Sequence, residues 1–245
     1  MPQAMTPAAP PLPRVFAHRC GGALAPENTL AGLRAAAARG FTAVEFDVML
    51  SADGTPVLIH DETLERTTNG RGRVCETPDA VLFALDAGGG ERIPTLAEAA
   101  ALCAELGLFA NIEIKPAAGY ELATGETVAS FVADHWRGVP PLLSSFSRQA
   151  LAAARRVAPQ LRYGLLFEAV PRNWRRQMDE VGATTLHCAA DCVRDTTIAA
   201  AAVAGVPVLC YTVNDPQAAQ RLFARGVSGL FTDRLDPRDP LAAVA

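Results

Sequence analysis

Residues 96–114 read LAEAAALCAELGLFANIEI, a helix candidate followed at once by a strand candidate. Leu96–Leu106 is rich in Ala and Leu, and Phe109–Ile114 is a short apolar run typical of a buried strand. The alternation continues in both directions. It predicts eight strands, at Val15–Ala17, Val44–Val48, Phe109–Ile114, Leu142–Ser145, Arg162–Leu166, Thr184–His187, Val208–Tyr211 and Gly229–Phe231.

Helix candidates lie between these strands, at Thr29–Arg39, Leu96–Leu106, Glu121–Trp136, Arg148–Val157, Trp174–Glu180, Asp195–Ala204 and Pro216–Arg225. Alternating strands and helices predict a parallel sheet covered by helices. Eight strands in 245 residues favour a closed (β/α)8 TIM barrel. An open doubly wound sheet is the alternative, but neither a Gly-rich dinucleotide fingerprint nor a Walker-type loop follows the first strand.

An insertion after the second strand, at about residues 51–94, interrupts the alternation. It contains an extra strand candidate, Val57–Ile59, and a hairpin signal, Asp53-Gly54. A turn centred on that dipeptide predicts that Asp47 stands opposite His60. We therefore expect a loose N-terminal arm at residues 1–13 and a single barrel domain at residues 14–245.

The net charge of −4, from 22 basic and 26 acidic residues, argues against a nucleic-acid-binding surface. No apolar run reaches the roughly 20 residues of a membrane-spanning helix. The six cysteines are scattered, and the first residues lack the features of a signal peptide, so we expect reduced thiols and a cytoplasmic location. The oligomeric state stays open, a homo-oligomer included.

Polar residues cluster at the predicted carboxyl ends of the strands, where barrels of this kind carry their active sites. Glu45 and Asp47 are two residues apart on one strand, so they share a face, and Glu113 and Lys115 do the same on the next. Three inward carboxylates repel one another, and a Ca2+ or Mg2+ ion would relieve the repulsion. The alternative is a set of ion pairs inside the barrel.

Two histidines, His18 and His60, are expected at the same mouth, where imidazoles can serve as general acid and base. Arg19 and Lys115 could bind a phosphate group. His187 is a weaker candidate for contact with substrate. Other residues expected at the mouth are Ser145, Phe146, Tyr211, Asn214 and Asp233.

Several motifs together resemble the glycerophosphodiester phosphodiesterase family, specifically its compact cytoplasmic members. They are AHRCGGALAPENT (17–29), VEFDV (44–48), DGTPVLIHD (53–61), TLERTTNG (63–70), IPTLAE (93–98), EIK (113–115), YTVN (211–214) and FTD (231–233). They occur in the family's order over nearly the whole chain.

The resemblance implies a barrel with a small insertion and hydrolysis of glycerophosphodiesters to sn-glycerol 3-phosphate and an alcohol. It implies catalysis by His18 and His60, Ca2+ or Mg2+ on Glu45, Asp47 and Glu113, and substrate contacts from Arg19, Lys115 and Tyr211. The partner it implies is a small-molecule phosphodiester such as glycerophosphocholine or glycerophosphoethanolamine.

The chain departs from the family's pattern at three positions. Cys20 stands where Gly is usual, Tyr211 where Trp is usual, and Arg234 where Pro is common. Two rival functions remain: a lysophospholipase D-like activity on lysophospholipids, and a catalytically silent barrel that binds phosphorylated metabolites.

Overall fold

The computed structural model describes residues 11–235. Most of the predicted N-terminal arm, residues 1–10, and residues 236–245 of the predicted domain lie outside them. No helix within the described range combines the length and the apolar character needed to cross a bilayer.

Eight parallel strands form a closed barrel, which confirms the predicted (β/α)8 fold. A ninth strand, β3, belongs to the insertion. The strands are β1 (Val15–Ala17), β2 (Ala43–Leu50), β3 (Pro56–Leu58), β4 (Phe109–Ile114), β5 (Leu142–Ser145), β6 (Arg162–Phe167), β7 (Thr185–Ala189), β8 (Val208–Tyr211) and β9 (Gly229–Thr232). Each barrel strand pairs with the next along the chain, and β1 closes the ring by pairing with both β9 and β2.

The helices cover the outside of the barrel. They are α1 (Leu30–Ala38), α2 (Asp79–Leu82), α3 (Leu96–Leu106), α4 (Glu121–His135), α5 (Arg148–Val157), α6 (Trp174–Val181), α7 (Asp195–Val203) and α8 (Pro216–Ala224). Short-range signals in the sequence set their ends. Thr95 and Glu98 form a capping box at the start of α3, and Gly107 ends that helix at a φ of 66°.

The lower part of the barrel interior is closed by apolar side chains from six strands. These are Phe16, Ala43, Phe109, Leu142, Leu209 and Phe231. Because this layer fills one end, polar residues farther along the same strands face a cavity that opens at the other end.

The insertion between β2 and α3 has a small core of its own. Its members are Met49, Val57, Ile59, Leu64, Val74, Leu82, Ala87 and Ile93. That core fixes the insertion against the carboxyl end of β2, so the residues following β3 have defined positions over the barrel mouth.

The predicted register of the β2–β3 hairpin was wrong by one residue. Met49 pairs with Val57, so Asp47 stands opposite Ile59 rather than His60. The reason is the turn: Ser51 N donates to Thr55 O, which leaves a three-residue loop centred on Asp53 instead of a two-residue loop at Asp53-Gly54. His60 nevertheless lies beside Asp47 at the mouth, because it follows the end of β3.

Candidate active site

Three buried carboxylates form the centre of the cavity at the carboxyl end of the barrel. Asp47 on β2 pairs in register with Glu113 on β4, and Glu45 lies two residues before Asp47 on the same face. One oxygen from each of the three lies within 4.8 Å of the others.

Burial and mutual repulsion destabilise the charged forms of these carboxylates. Burial, with the charge of Asp47, raises the pKa of Glu45 to about 7 and that of Glu113 to about 8. Clustered carboxylate oxygens are the ligands that Ca2+ and Mg2+ prefer. The donor set of Glu45, Asp47 and Glu113 therefore fits a divalent cation.

Neighbouring groups orient these carboxylates. The Asn28 side chain donates from Nδ2 to Asp47 Oδ2 at 2.9 Å and accepts from the Asp47 backbone N at 3.1 Å. The backbone N of Arg19 donates to Glu45 Oε2 at 3.0 Å. Lys115 Nζ lies 3.4 Å from Asp47 Oδ1 and 3.5 Å from Glu113 Oε1. The predicted ion pairs thus occur, alongside a carboxylate arrangement that suits a metal.

His18 follows β1 and is held by Asp233, which follows β9. His18 Nδ1 lies 2.7 Å from Asp233 Oδ1, and His18 Nε2 lies 3.9 Å from Glu45 Oε2. Burial lowers the pKa of His18, but the Asp233 hydrogen bond and the charge of Glu45 outweigh burial, so its pKa is raised. Asn214 donates to Asp233 Oδ2 at 2.9 Å and fixes that carboxylate in turn.

His60 is held in the same manner by its neighbour in the insertion. His60 Nδ1 lies 2.5 Å from Asp61 Oδ1. Burial lowers the pKa of His60, and the charge of Asp47 only partly offsets this effect. Both imidazoles therefore have one ring nitrogen on a carboxylate and the other available at the cavity.

A chain of ion pairs links the insertion to Arg19. Arg66 contacts Glu27 with both terminal nitrogens at 2.7 and 2.8 Å, and it donates from Nε to Asp61 at 2.5 Å. Glu27 also accepts from Arg19 Nη1 at 2.9 Å. Arg19 Nε, by contrast, is buried without a hydrogen-bond partner among residues 11–235. The nearby carboxylate oxygen Asp47 Oδ2 lies 4.0 Å from this nitrogen, beyond hydrogen-bond distance.

Two aromatic rings border the cavity on its open side. Phe146 is 47% exposed, and its ring meets that of Tyr211 edge to face, with centroids 5.9 Å apart. The Tyr211 hydroxyl donates to Phe167 O at 2.9 Å, so the ring is fixed. Ser145, also expected at the mouth, instead donates to the backbone oxygen of Ile114.

Cys20 occupies a position that favours glycine. Its φ is 71°, in the left-handed region that residues with a Cβ rarely adopt. Its backbone N donates to Glu45 O at 2.7 Å, which ties the turn to β2. The positive φ at this position explains why the motif usually has Gly there. In this chain the turn forms with a cysteine at that position.

One cavity of about 170 Å3 brings together all the residues predicted for the site. Those predicted residues are His18, Arg19, Glu45, Asp47, His60, Glu113, Lys115 and Tyr211. The weaker candidate His187 also lines the cavity, as does Asn111, which the sequence analysis did not single out. Asn111 lies two residues before Glu113, and the alternation of a strand could have identified it.

Comparison with known proteins shows which family the chain resembles over its length. Residues 18–237 match the model of the glycerophosphoryl diester phosphodiesterase family. A glycerophosphodiester phosphodiesterase of Caldanaerobacter subterraneus is 33% identical, over 89% of this chain and 93% of its own length.

Solved structures agree with the fold. An Oleispira antarctica phosphodiesterase in complex with its product, sn-glycerol 3-phosphate, superposes with a TM-score of 0.90 at 36% identity, covering 95% of this chain and 96% of that one. A glycerophosphodiester phosphodiesterase of Agrobacterium tumefaciens has a TM-score of 0.76 at 26% identity, covering 95% of this chain and all of its own.

Proposed function

The chain belongs to the glycerophosphoryl diester phosphodiesterase family, and on that basis we propose that it hydrolyses glycerophosphodiesters with the help of a divalent cation. The substrates are glycerophosphocholine, glycerophosphoethanolamine and similar diesters, and the products are sn-glycerol 3-phosphate and an alcohol. The observation that carries the proposal is the carboxylate group within 4.8 Å, flanked in one cavity by two imidazoles and two cationic side chains.

Binding of the phosphodiester is assigned to Arg19 and Lys115. Arg19 Nε is a buried donor without a hydrogen-bond partner among the described residues and lies 4.0 Å from Asp47 Oδ2, so we assign to it a hydrogen bond to a non-bridging phosphoryl oxygen. Lys115 adds a positive charge beside Asp47 and Glu113. Glu45, Asp47 and Glu113 would hold Ca2+ or Mg2+, which would supply further positive charge to polarise the phosphoryl group.

Proton transfer is assigned to His18 and His60. One imidazole removes a proton from the nucleophile as its oxygen bonds to phosphorus, and the other protonates the leaving alkoxide as the P–O bond breaks. The nucleophile is either water or the glycerol 2-hydroxyl, which would give a transient cyclic phosphate. Asp233 and Asp61 hold the imidazoles through Nδ1 and keep Nε2 toward the substrate.

The domain and compartment assignments belong to this proposal as well. We assign residues 14–245 to one barrel domain with an insertion at about 51–94, supported by the family match over 18–237 and by the small core of the insertion. All six cysteines are free thiols, which supports the cytoplasm as the compartment.

A substrate panel tests the function. With Mg2+ or Ca2+ present, we expect release of glycerol 3-phosphate from glycerophosphocholine and glycerophosphoethanolamine in a coupled assay. Lysophosphatidylcholine should give little free choline under the same conditions. Choline release from the lysolipid alone would favour the lysophospholipase D-like activity, and no release from any of the three would favour the silent barrel.

A further inference from the structure

Two buried thiols lie side by side in the wall formed by β7 and β8. Cys188 on β7 pairs in register with Cys210 on β8, and the two sulfurs are 4.0 Å apart. Both are free cysteines, and both are fully buried. The hydrolysis proposed above uses neither thiol, but their placement allows them to react with each other.

The backbone at this pair suits a disulfide bond. Neighbouring strands of a sheet lie about 4.7–4.9 Å apart. Cysteines joined by a disulfide usually have Cα atoms about 4.4–6.8 Å apart, with the two sulfurs about 2 Å apart. Rotation of the two side chains and a small approach of the two strands would therefore bring the sulfurs from 4.0 Å to bonding distance.

The surroundings favour the thiolate form of Cys188. The contact with Cys210 lowers the pKa of the Cys188 thiol, although burial opposes this effect, and the positive charge of Arg225 lowers it further. A thiolate is the form of cysteine that reacts with oxidants. Cys188 is therefore the member of the pair that is oxidised first.

The cover over this pair on the outside of the barrel is thin. Cys188 and Cys210 pack in the outer core together with Ile198 and Ala201 of α7. Every residue of α7 is described, and among its three buried side chains Ile198 is the one large apolar group. Because little apolar surface holds this helix, a brief local opening is enough to admit a molecule little larger than water, such as hydrogen peroxide.

Each cysteine is adjacent to a residue of the active-site cavity. His187 precedes Cys188, Tyr211 follows Cys210, and both of these neighbours line the cavity. Side chains alternate across a strand, so the two sulfurs lie on the outer side of the same wall. Drawing the sulfurs together would therefore shift the cavity wall from its outer side.

We propose that Cys188 and Cys210 are a redox-modification site, at which hydrogen peroxide joins the two thiols in a reversible disulfide that lowers activity in the neighbouring cavity. The disulfide is independent of the function proposed above, whereas the loss of activity rests on it. Transient disulfides of this kind are the type expected in a reducing compartment.

The reaction takes place in two steps. The Cys188 thiolate attacks one oxygen of the peroxide, the O–O bond breaks, and a sulfenic acid forms while the departing hydroxide takes up a proton to become water. The Cys210 sulfur then attacks the sulfenic sulfur, its S–H proton leaves with the hydroxyl as a second water, and the S–S bond forms. Two thiols thus lose two electrons, and one peroxide is reduced to two waters. An added dithiol such as dithiothreitol reverses the bond by thiol–disulfide exchange.

Peptide mapping of the oxidised protein tests the disulfide. The exposed Cys192 is first replaced in a Cys192→Ser variant, because its thiol would share a tryptic peptide with Cys188. Trypsin then leaves Cys188 on the peptide 177–194 and Cys210 on the peptide 195–221. After treatment with peroxide and alkylation of the remaining thiols, mass spectrometry of the unreduced digest should find these two peptides linked. Dithiothreitol should separate them.

Two controls show that the fold selects this pair. Adding Cys210→Ala to the Cys192→Ser variant should abolish the linked peptide. Cys192→Ser protein that is denatured in urea before oxidation should lose the preference for this pair, because proximity in the folded barrel no longer favours it.

Turnover of glycerophosphocholine tests the effect on the cavity. Peroxide should lower kcat/KM of the Cys192→Ser variant by at least about tenfold, since a displacement of about 1 Å in an active site can cost about 100-fold. Dithiothreitol should restore the activity. The variant that also carries Cys210→Ala should keep its kcat/KM under the same treatment.

The outcomes separate the two parts of this inference from the proposed function. The absence of a linked peptide, at a peroxide concentration that oxidises the exposed Cys192 of wild type, would overturn the proposal. A linked peptide with unchanged kcat/KM would overturn the claimed loss of activity. Reduced protein without any turnover would contradict the proposed function, and the peptide map would still decide whether the disulfide forms.

Discussion

The imidazoles of His18 and His60 each have Nδ1 on a carboxylate, and both residues line the active-site cavity. Replacing either residue with Ala removes one of the two groups to which we assign proton transfer, so we expect kcat to fall by roughly two to four orders of magnitude. His135→Ala is the matched control, because that imidazole is exposed at the end of α4. Near wild-type turnover in His18→Ala or His60→Ala would refute the assignment.

Cys20 gives a prediction about stability. Its positive φ penalises any residue with a Cβ, so Cys20→Ala keeps the penalty and also loses the buried thiol contacts. Cys20→Gly loses the same contacts but removes the penalty. We expect Cys20→Gly to exceed Cys20→Ala in free energy of unfolding by about 1 kcal/mol, measured by urea denaturation. The opposite order would show that this turn relaxes when the cysteine is replaced.

His187 gives a prediction about pH. Burial lowers its pKa to about 3 in the folded protein, against about 6.5 in an unfolded chain. Below about pH 6.5 only the unfolded state takes up the proton, so stability falls as the pH decreases toward 3, by up to about 1.4 kcal/mol per unit. His187→Gln should lose less stability than wild type between pH 6.5 and 5, while the exposed-site variant His135→Gln should follow wild type. Parallel curves for His187→Gln and wild type would contradict this.

Candidate site residues could be predicted from the sequence when two of them lie on the same strand. Glu45 with Asp47, and Glu113 with Lys115, follow from a spacing of two on a strand. Asn28 and Arg66 were missed as positioning residues, although both lie inside quoted motifs, because their partners come from distant segments. Asn28 reaches Asp47, and Arg66 reaches Glu27, only once the chain is folded.

At the scale of elements, the insertion supplies both His60 and the residue that fixes it. Arg66 joins Asp61, which holds His60, to Glu27, which holds Arg19. Because Arg66, which joins the two halves of the network, is 46% exposed, the contribution of its ion pairs to stability is small. Its effect is to set the position of His60 relative to Arg19, the arginine to which we assign phosphate binding.

We therefore expect Arg66→Met to lower kcat by about 10- to 100-fold, the range found when a group that orients a functional side chain is removed. KM should change less, because Arg19 and Lys115 remain. Arg66→Lys retains the charge but loses the bidentate contact with Glu27, so it should restore only part of kcat. Arg71→Ala, on the exposed side of the same insertion, is the control. An unchanged kcat in Arg66→Met would mean that Asp61 and the insertion core hold His60 unaided.

Boundaries of elements were predicted well where caps and apolar runs coincide, as for α3, and less well for the hairpin. Apolar pattern and the Asp53-Gly54 signal located β3 to within one residue. They did not distinguish a two-residue from a three-residue loop, and the register shifted accordingly. The geometry of the turn depends on the backbone hydrogen bond from Ser51 to Thr55. The alternation of apolar and polar side chains does not predict that bond.

For the whole molecule, the eight-fold alternation was sufficient to predict the barrel because each unit repeats one local pattern. Closure then brings β1 beside both β2 and β9, and so places His18 between Glu45 and Asp233. Residues more than 200 positions apart in the sequence meet in this way. A local sequence pattern cannot predict such a long-range contact.

The most direct test of the central claim is the cation dependence of glycerophosphocholine hydrolysis. Protein stripped with EDTA should release no glycerol 3-phosphate, and adding Mg2+ or Ca2+ should restore release with saturation. Asp47→Asn should fail to recover at cation concentrations that saturate wild type, while Glu105→Gln, an exposed carboxylate on α3, should recover fully. Full turnover of stripped wild-type protein in excess EDTA would contradict the account.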